Sequence, residues 1–153
     1  MLKKGSIEQL RAGELIRAQG YIVLPMCHYP RGLSKKLIDE YVKNLGPSKA
    51  LLDAFHAERE RLGGNHNAAF LSSHYQKNFT LAPEGIVELK RLSELSRERD
   101  VYFVCQCALN QRCHRELLLI CAKRWWRAAT ELRTFSYAEF EARLSNTANE
   151  FAA

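Results

Sequence analysis

The sequence predicts an α/β protein built on a small, mostly parallel sheet with helices on both faces. Two observations carry that expectation. Val101–Cys105 (VYFVC) is a run of apolar and aromatic residues without helical spacing, the pattern of a strand covered on both faces. A polar turn, Cys107–Gln111, follows it, and then Leu117, Leu118, Cys121, Ala122 and Trp125 recur at the spacing of a helix laid on a sheet. The second observation is the alternation of strand-like and helix-like stretches along the rest of the chain, the order that generates parallel strands through crossovers.

From the N-terminus, Ser6–Ala12 reads as a short helix, with Ser6 as its cap and Gln9 at capping-box spacing. Tyr21–Met26 (YIVLPM) is a strand that Pro25 shortens, and Cys27–Gly32 is a loop punctuated by Pro30-Arg31-Gly32. Leu37–Leu45 has mixed spacing, and its boundary with Gly46-Pro47-Ser48 favours a strand at about Tyr41–Leu45. Ser48–Leu62 is a helix stopped by Gly63-Gly64, and Asn67–Phe79 is a second one with Phe70, Leu71 and His74 on one face. Pro83 opens a third that carries Ile86, Leu89, Leu92 and Leu95 to about Arg99.

After the central strand, a helix is expected from about Arg112 to Trp126 with Asn110 capping it. Glu131–Phe135 suits a last strand, Ser136–Glu139 a capping box that opens a helix to about Leu144, and 146–153 a flexible tail. No repeat or composition break divides the chain, so one domain is expected over 1–153, its core at about 15–135.

At 153 residues, with 46% hydrophobic and 26% charged residues, the chain can build a core without covalent staples. A net charge of +6 and a pI near 9.2 favour anionic partners, either phosphorylated small molecules or nucleic acid. No apolar run approaches the roughly 20 residues needed to cross a bilayer, so no membrane role is expected. Ser6–Leu10 lacks the apolar core of a signal peptide, which points to a cytoplasmic setting. There the 5 cysteines stay reduced, and their clustering calls for chemistry other than disulfides.

Three segments together resemble the bacterial domain of unknown function 488 family. They are Gly20-Tyr21 leading through a strand to Tyr29-Pro30-Arg31-Gly32-Leu33-Ser34, then Leu45-Gly46-Pro47-Ser48 with Phe55-His56, and Cys105 followed by Cys113-His114-Arg115. Phe70–Tyr75 resembles that family's F-to-Y helix. Cys107 stands where the family usually has an acidic residue, and Pro25–His28 replaces a more polar strand end. The resemblance implies a three-layer Rossmann-like sandwich; it implies no particular reaction.

The strand-to-helix junction is where open α/β sheets bind ligands. Three chemistries are legible there. Arg112, Arg115 and Asn110 at a helix start, with Arg31 on the neighbouring exit loop, can form an anion pocket for a phosphorylated ligand or nucleic acid. Cys113, flanked by Arg112 and His114, has the setting of an activated thiol, and Cys107-x4-Arg112 has the spacing of a sulfurtransferase loop, so catalysis would fall to Cys113, His114 and Cys107. A metal would use Cys105, Cys107, Cys113 and Cys27. It is the least favoured of the three, because no Cys-x2-Cys knuckle is present; sulfurs about 3.8 Å apart around one centre would mark it. Lys123–Arg127 interleaves cations with two tryptophans and could meet phosphates and bases, although Trp125 suits the core. His56 and His74 read as structural helix residues, and His66 as a loop residue.

Overall fold

The computed structural model describes residues 1–144 and 147–151, with 149 and 150 described through their backbone only. It is an α/β fold consistent with a Rossmann-like sandwich. Four parallel strands, β1 (Leu2–Ser6), β2 (Tyr21–Leu24), β3 (Glu40–Tyr41) and β4 (Val101–Cys105), lie in the order β1-β4-β2-β3. Around them run α1 (Ile7–Ala12), α2 (Lys49–Arg61), α3 (His66–Ser72), α4 (Tyr75–Asn78), α5 (Pro83–Leu95), α6 (His114–Trp126), α7 (Ala138–Arg143) and α8 (Ala148–Phe151).

Alternation along β4 explains the layers. Val101 and Phe103 point into the larger core beneath α2–α7, whereas Tyr102 and Val104 point to a smaller core closed by Ile7, Leu10 and Leu15. Ile22 and Leu24 of β2 share the second face, and Val23 takes the first. Cys105 continues the parity of Val101 and Phe103, which aims it at the α6 side.

Local signals account for several elements. Ser6 and Gln9 form the expected capping box on α1, Ser48 caps α2 through the Leu51 N–H, and Pro83 occupies the first turn of α5. Strand β1 had no hydrophobic signature in LKKGS. It is held by register with β4, by Lys3 paired to Asp100 at 3.0 Å, and by Lys4 paired to the buried Glu116 at 2.9 Å. Gly5 lets the strand pack closely there: a Cβ would stand 2.6 Å from Leu15 Cδ2 and 2.9 Å from Val104 Cγ2, and both methyls would have to shift.

Other expectations need correction. Asn110 does not cap α6: it is exposed, the helix begins at His114, and the N-cap is Cys113 in extended conformation with no side-chain cap. Asn67–Phe79 is not one helix, since His74 adopts a positive φ of 55° and separates α3 from α4. The strand expected over Tyr41–Leu45 is only Glu40–Tyr41, because Lys43–Leu45 tightens into a 3₁₀ turn. Glu131–Phe135 is not a strand; pairing at that edge stops at a single bridge from Leu2 to Thr130. Helix α7 starts after Tyr137, with no side-chain cap from Ser136. Within the expected tail, Ala148–Phe151 forms a helical turn whose Phe151 packs on Trp125 and Phe140; 146, 152 and 153 lie outside the described residues. Among the described residues no helix is long and apolar enough to cross a membrane.

Candidate functional site

A cavity of about 350 Å³ opens at the carboxyl edge of the sheet, bounded by the loops after β2 and β4 and by α2–α4. Its floor is the turn that joins β4 to α6. That turn is fastened at several points: the Ala108 N–H donates to Gln111 Oε1 at 2.8 Å, and the Arg112 N–H donates to Asn67 Oδ1 at 2.8 Å. The Cys113 N–H donates to the Tyr137 hydroxyl at 3.3 Å, and that hydroxyl donates to Glu116 Oε1 at 2.7 Å. The result is a rigid turn that presents Cys105, Cys107, Cys113 and His114 together to the cavity.

The thiols are close. Cys105 and Cys107 Sγ are 3.8 Å apart, and Cys113 Sγ is 3.5 Å from His114 Nδ1. The ligand atoms of Cys105, Cys113 and His114 all lie within 4.8 Å of one another. His114 Nε2 donates to the Pro25 carbonyl, which fixes the ring and turns Nδ1 toward the sulfurs. Cys27 lines the same cavity beside His28, its Sγ 3.7 Å from His28 Nε2, and stands apart from the triad.

Charge is distributed unevenly. Burial opposes ionisation of Cys113, but hydrogen bonds from Cys105 and Cys107 and the positive charges of Arg115 and His114 outweigh it and hold this thiol well below its usual range. Burial likewise opposes a charged His114, and the negative charge of Cys113 and Cys105 outweighs that, raising its pKa well above the ordinary value. Cys107 moves the other way, pushed well up by its hydrogen bonds to Cys105 and Cys113. Arg115 is 1% exposed; it donates to the Gly5 and Ala108 carbonyls, its Nε has no partner, and no carboxylate among the described residues pairs with it.

The other expected site residues are placed differently from one another. Arg112 lines the cavity, donates to the Ser136 carbonyl at 2.8 Å and rests on the rings of Phe135 and Tyr137. Arg115 lies under the floor rather than in the cavity, because its side chain is spent on β1 and the turn. Arg31 is exposed, lies outside the cavity lining, and meets Arg11 through its carbonyl. Asn110 is exposed and also outside the lining.

Several lining residues carry no local mark of function. Phe55, His66, Phe70 and Tyr75 form one wall from α2, α3 and α4 through ring contacts of 4.4 to 6.1 Å. His66 is the buried first residue of α3, not a loop residue, and donates through Nε2 to the Arg112 carbonyl at 2.8 Å. His56 lines the cavity from α2, whereas the exposed His74 does not. The Phe55-His56 and Phe70–Tyr75 resemblances were the hints of this wall in the sequence. The Tyr75 hydroxyl, in a residue only 4% exposed, makes no hydrogen bond within the described residues.

A family model described as the active DUF488-N3 subclade matches residues 9–124. The chain belongs to the DUF488 family. The matched stretch spans β2, β4 and nearly all of α6, and so includes the whole thiol floor of this DUF488 protein. Comparison with curated proteins and with solved structures found no match.

Proposed function

We propose that this DUF488 protein binds a phosphorylated small molecule in the carboxyl-edge cavity. One observation carries the reading: the lining includes Arg59, Arg112, His28, His56, His66 and His114 and no carboxylate among the described residues. Arg59 and Arg112 stay cationic at any working pH and no lining carboxylate opposes them, so the concave site favours an anionic ligand. The aromatic wall adds apolar surface for a ring, and the unpartnered Tyr75 hydroxyl is a donor waiting for an acceptor. A volume of about 350 Å³ suits a compact ligand rather than a duplex, which needs an open face.

Calorimetric titration with a nucleoside monophosphate, the neutral nucleoside, inorganic phosphate and a short oligonucleotide tests this. The monophosphate is expected to bind, the nucleoside far more weakly. Arg59→Gln, which removes one charge-assisted contact worth about 1.5–3 kcal/mol, should weaken the monophosphate about 10- to 100-fold. Equal binding of nucleoside and monophosphate, or oligonucleotide binding that ignores Arg59→Gln, would refute the reading.

A further inference from the structure

We propose that Cys105, Cys107, Cys113 and His114 form a tetrahedral site for one divalent zinc-type ion on the cavity floor. The inference goes beyond the phosphorylated ligand and does not depend on it.

Geometry is the first support. Zinc–sulfur bonds of about 2.3 Å and zinc–nitrogen bonds of about 2.0–2.1 Å at tetrahedral angles place sulfurs about 3.8 Å apart and sulfur about 3.5 Å from nitrogen. Cys105 and Cys107 Sγ stand at 3.8 Å, and Cys113 Sγ and His114 Nδ1 at 3.5 Å. Cys105, Cys113 and His114 also lie within 4.8 Å of one another as a mutual triad, and Cys107 adjoins that triad through Cys105 as the fourth ligand. Thiols that merely share a core do not need to converge on a common centre, nor to bring an imidazole nitrogen to the same point.

The surroundings are the second support. A metal-bound histidine characteristically donates its other ring N–H to a carbonyl or carboxylate, which orients the ring and raises its basicity as a ligand. His114 does this through Nε2 to the Pro25 carbonyl, which leaves Nδ1 facing the sulfurs. Arg115 supplies the remaining charge. Its buried guanidinium has no carboxylate partner among the described residues, a costly arrangement unless an anion is nearby. Three thiolates, one imidazole and a divalent ion carry a net charge of minus one, which this guanidinium would neutralise. Soft thiolates with one imidazole in tetrahedral array select zinc over magnesium or calcium. Binding releases the thiol protons to solvent, so it strengthens as pH rises.

The experiment uses the full chain, reduced and stripped of metal, titrated with Co²⁺ and then with Zn²⁺. One Co²⁺ per chain should bind, with the intense visible bands of tetrahedral cobalt and thiolate-to-cobalt charge transfer in the near ultraviolet, and Zn²⁺ should abolish both stoichiometrically. Cys105→Ser and Cys107→Ser should each weaken Co²⁺ binding by roughly a hundredfold or more, whereas Cys27→Ser and Cys121→Ser should leave the stoichiometry and spectrum unchanged. Because Cys113→Ser can disturb folding at the start of α6, thiol counting in the native wild type provides an independent readout. Zn²⁺ should protect three cysteines from a thiol reagent. No cobalt spectrum, a spectrum indifferent to Cys105→Ser and Cys107→Ser, or a Cys113 that alkylates equally fast with and without Zn²⁺ would each overturn the proposal, the last leaving a free reactive thiol instead. Phosphate-ligand binding is read separately, so either proposal can fail while the other stands.

Discussion

Replacing Glu116 with alanine should be among the most damaging single changes in this protein. The carboxylate is 2% exposed and has three donors: Lys4 Nζ at 2.9 Å, the Thr134 N–H at 2.6 Å and the Tyr137 hydroxyl at 2.7 Å. Its removal strands a Lys4 ammonium that is 8% exposed and left with only the Thr134 hydroxyl at 3.0 Å. It also leaves a buried hydroxyl and a backbone N–H without acceptors. Breaking a buried ion pair costs about 3–5 kcal/mol, and each unmet buried donor about 1–3 kcal/mol, but these overlap because the lysine can shift or lose its proton. A net loss of about 4 kcal/mol is expected. With a urea slope of about 2 kcal/mol per molar, the unfolding midpoint should fall by about 2 M. Glu116→Gln keeps one acceptor oxygen, enough for the Thr134 N–H or the Tyr137 hydroxyl but not both, and should lose somewhat less. Lys4→Met combined with Glu116→Leu should recover part of the loss, since no charge is then stranded. A midpoint shift below about 0.5 M for Glu116→Ala would show that solvent reaches this network, and would refute the claim that it fixes β1 and the Cys113 backbone.

Two further outcomes follow from the same packing. Gly46→Ala would drive a Cβ into the backbone of Met26 and Cys27. Overpacking of that kind costs about 1–3 kcal/mol, so the melting temperature should fall by about 6 °C and phosphate-ligand affinity should fall with it; an unchanged melt would show that the loop after β2 yields freely. His66 is held below its ordinary pKa of 6.5, chiefly by burial, so the unfolded chain binds its proton first as the pH drops. Its stabilising contribution is therefore present above pH 6.5 and lost toward acid. The stability gap between wild type and His66→Gln, measured by urea unfolding, should shrink between pH 7 and 5, and a constant gap would contradict the assignment.

Much of the architecture was written in short-range pattern. The apolar run of β4, the helical repeat of α6, the serine caps of α1 and α2, and Pro83 each report burial or a hydrogen bond made within a few residues. Such signals survive in any context, which is why the strand-to-helix junction and its thiols could be located from residues alone. The pattern failed where the deciding partner lies far along the chain. LKKGS becomes a strand only because β4 offers it a register and Glu116 and Asp100 receive its lysines. ELRTF has better strand propensity yet remains a loop, since only Thr130 pairs with the sheet edge.

The site divides in the same way. The sequence by itself placed Cys105 and Cys107 where a buried strand ends and Cys113 and His114 where the next helix begins. Only the tertiary structure decided the roles of the arginines. Arg115 is drawn under the floor by carbonyls of Gly5 and Ala108, while Arg112 is left at the rim by the rings of Phe135 and Tyr137. It also brought up the wall of Phe55, His66 and Tyr75 and turned His114 onto Pro25. The physical reason is that periodicity records which residues leave water, whereas the direction of a polar side chain is set by whichever distant donor or acceptor the fold brings within about 3 Å.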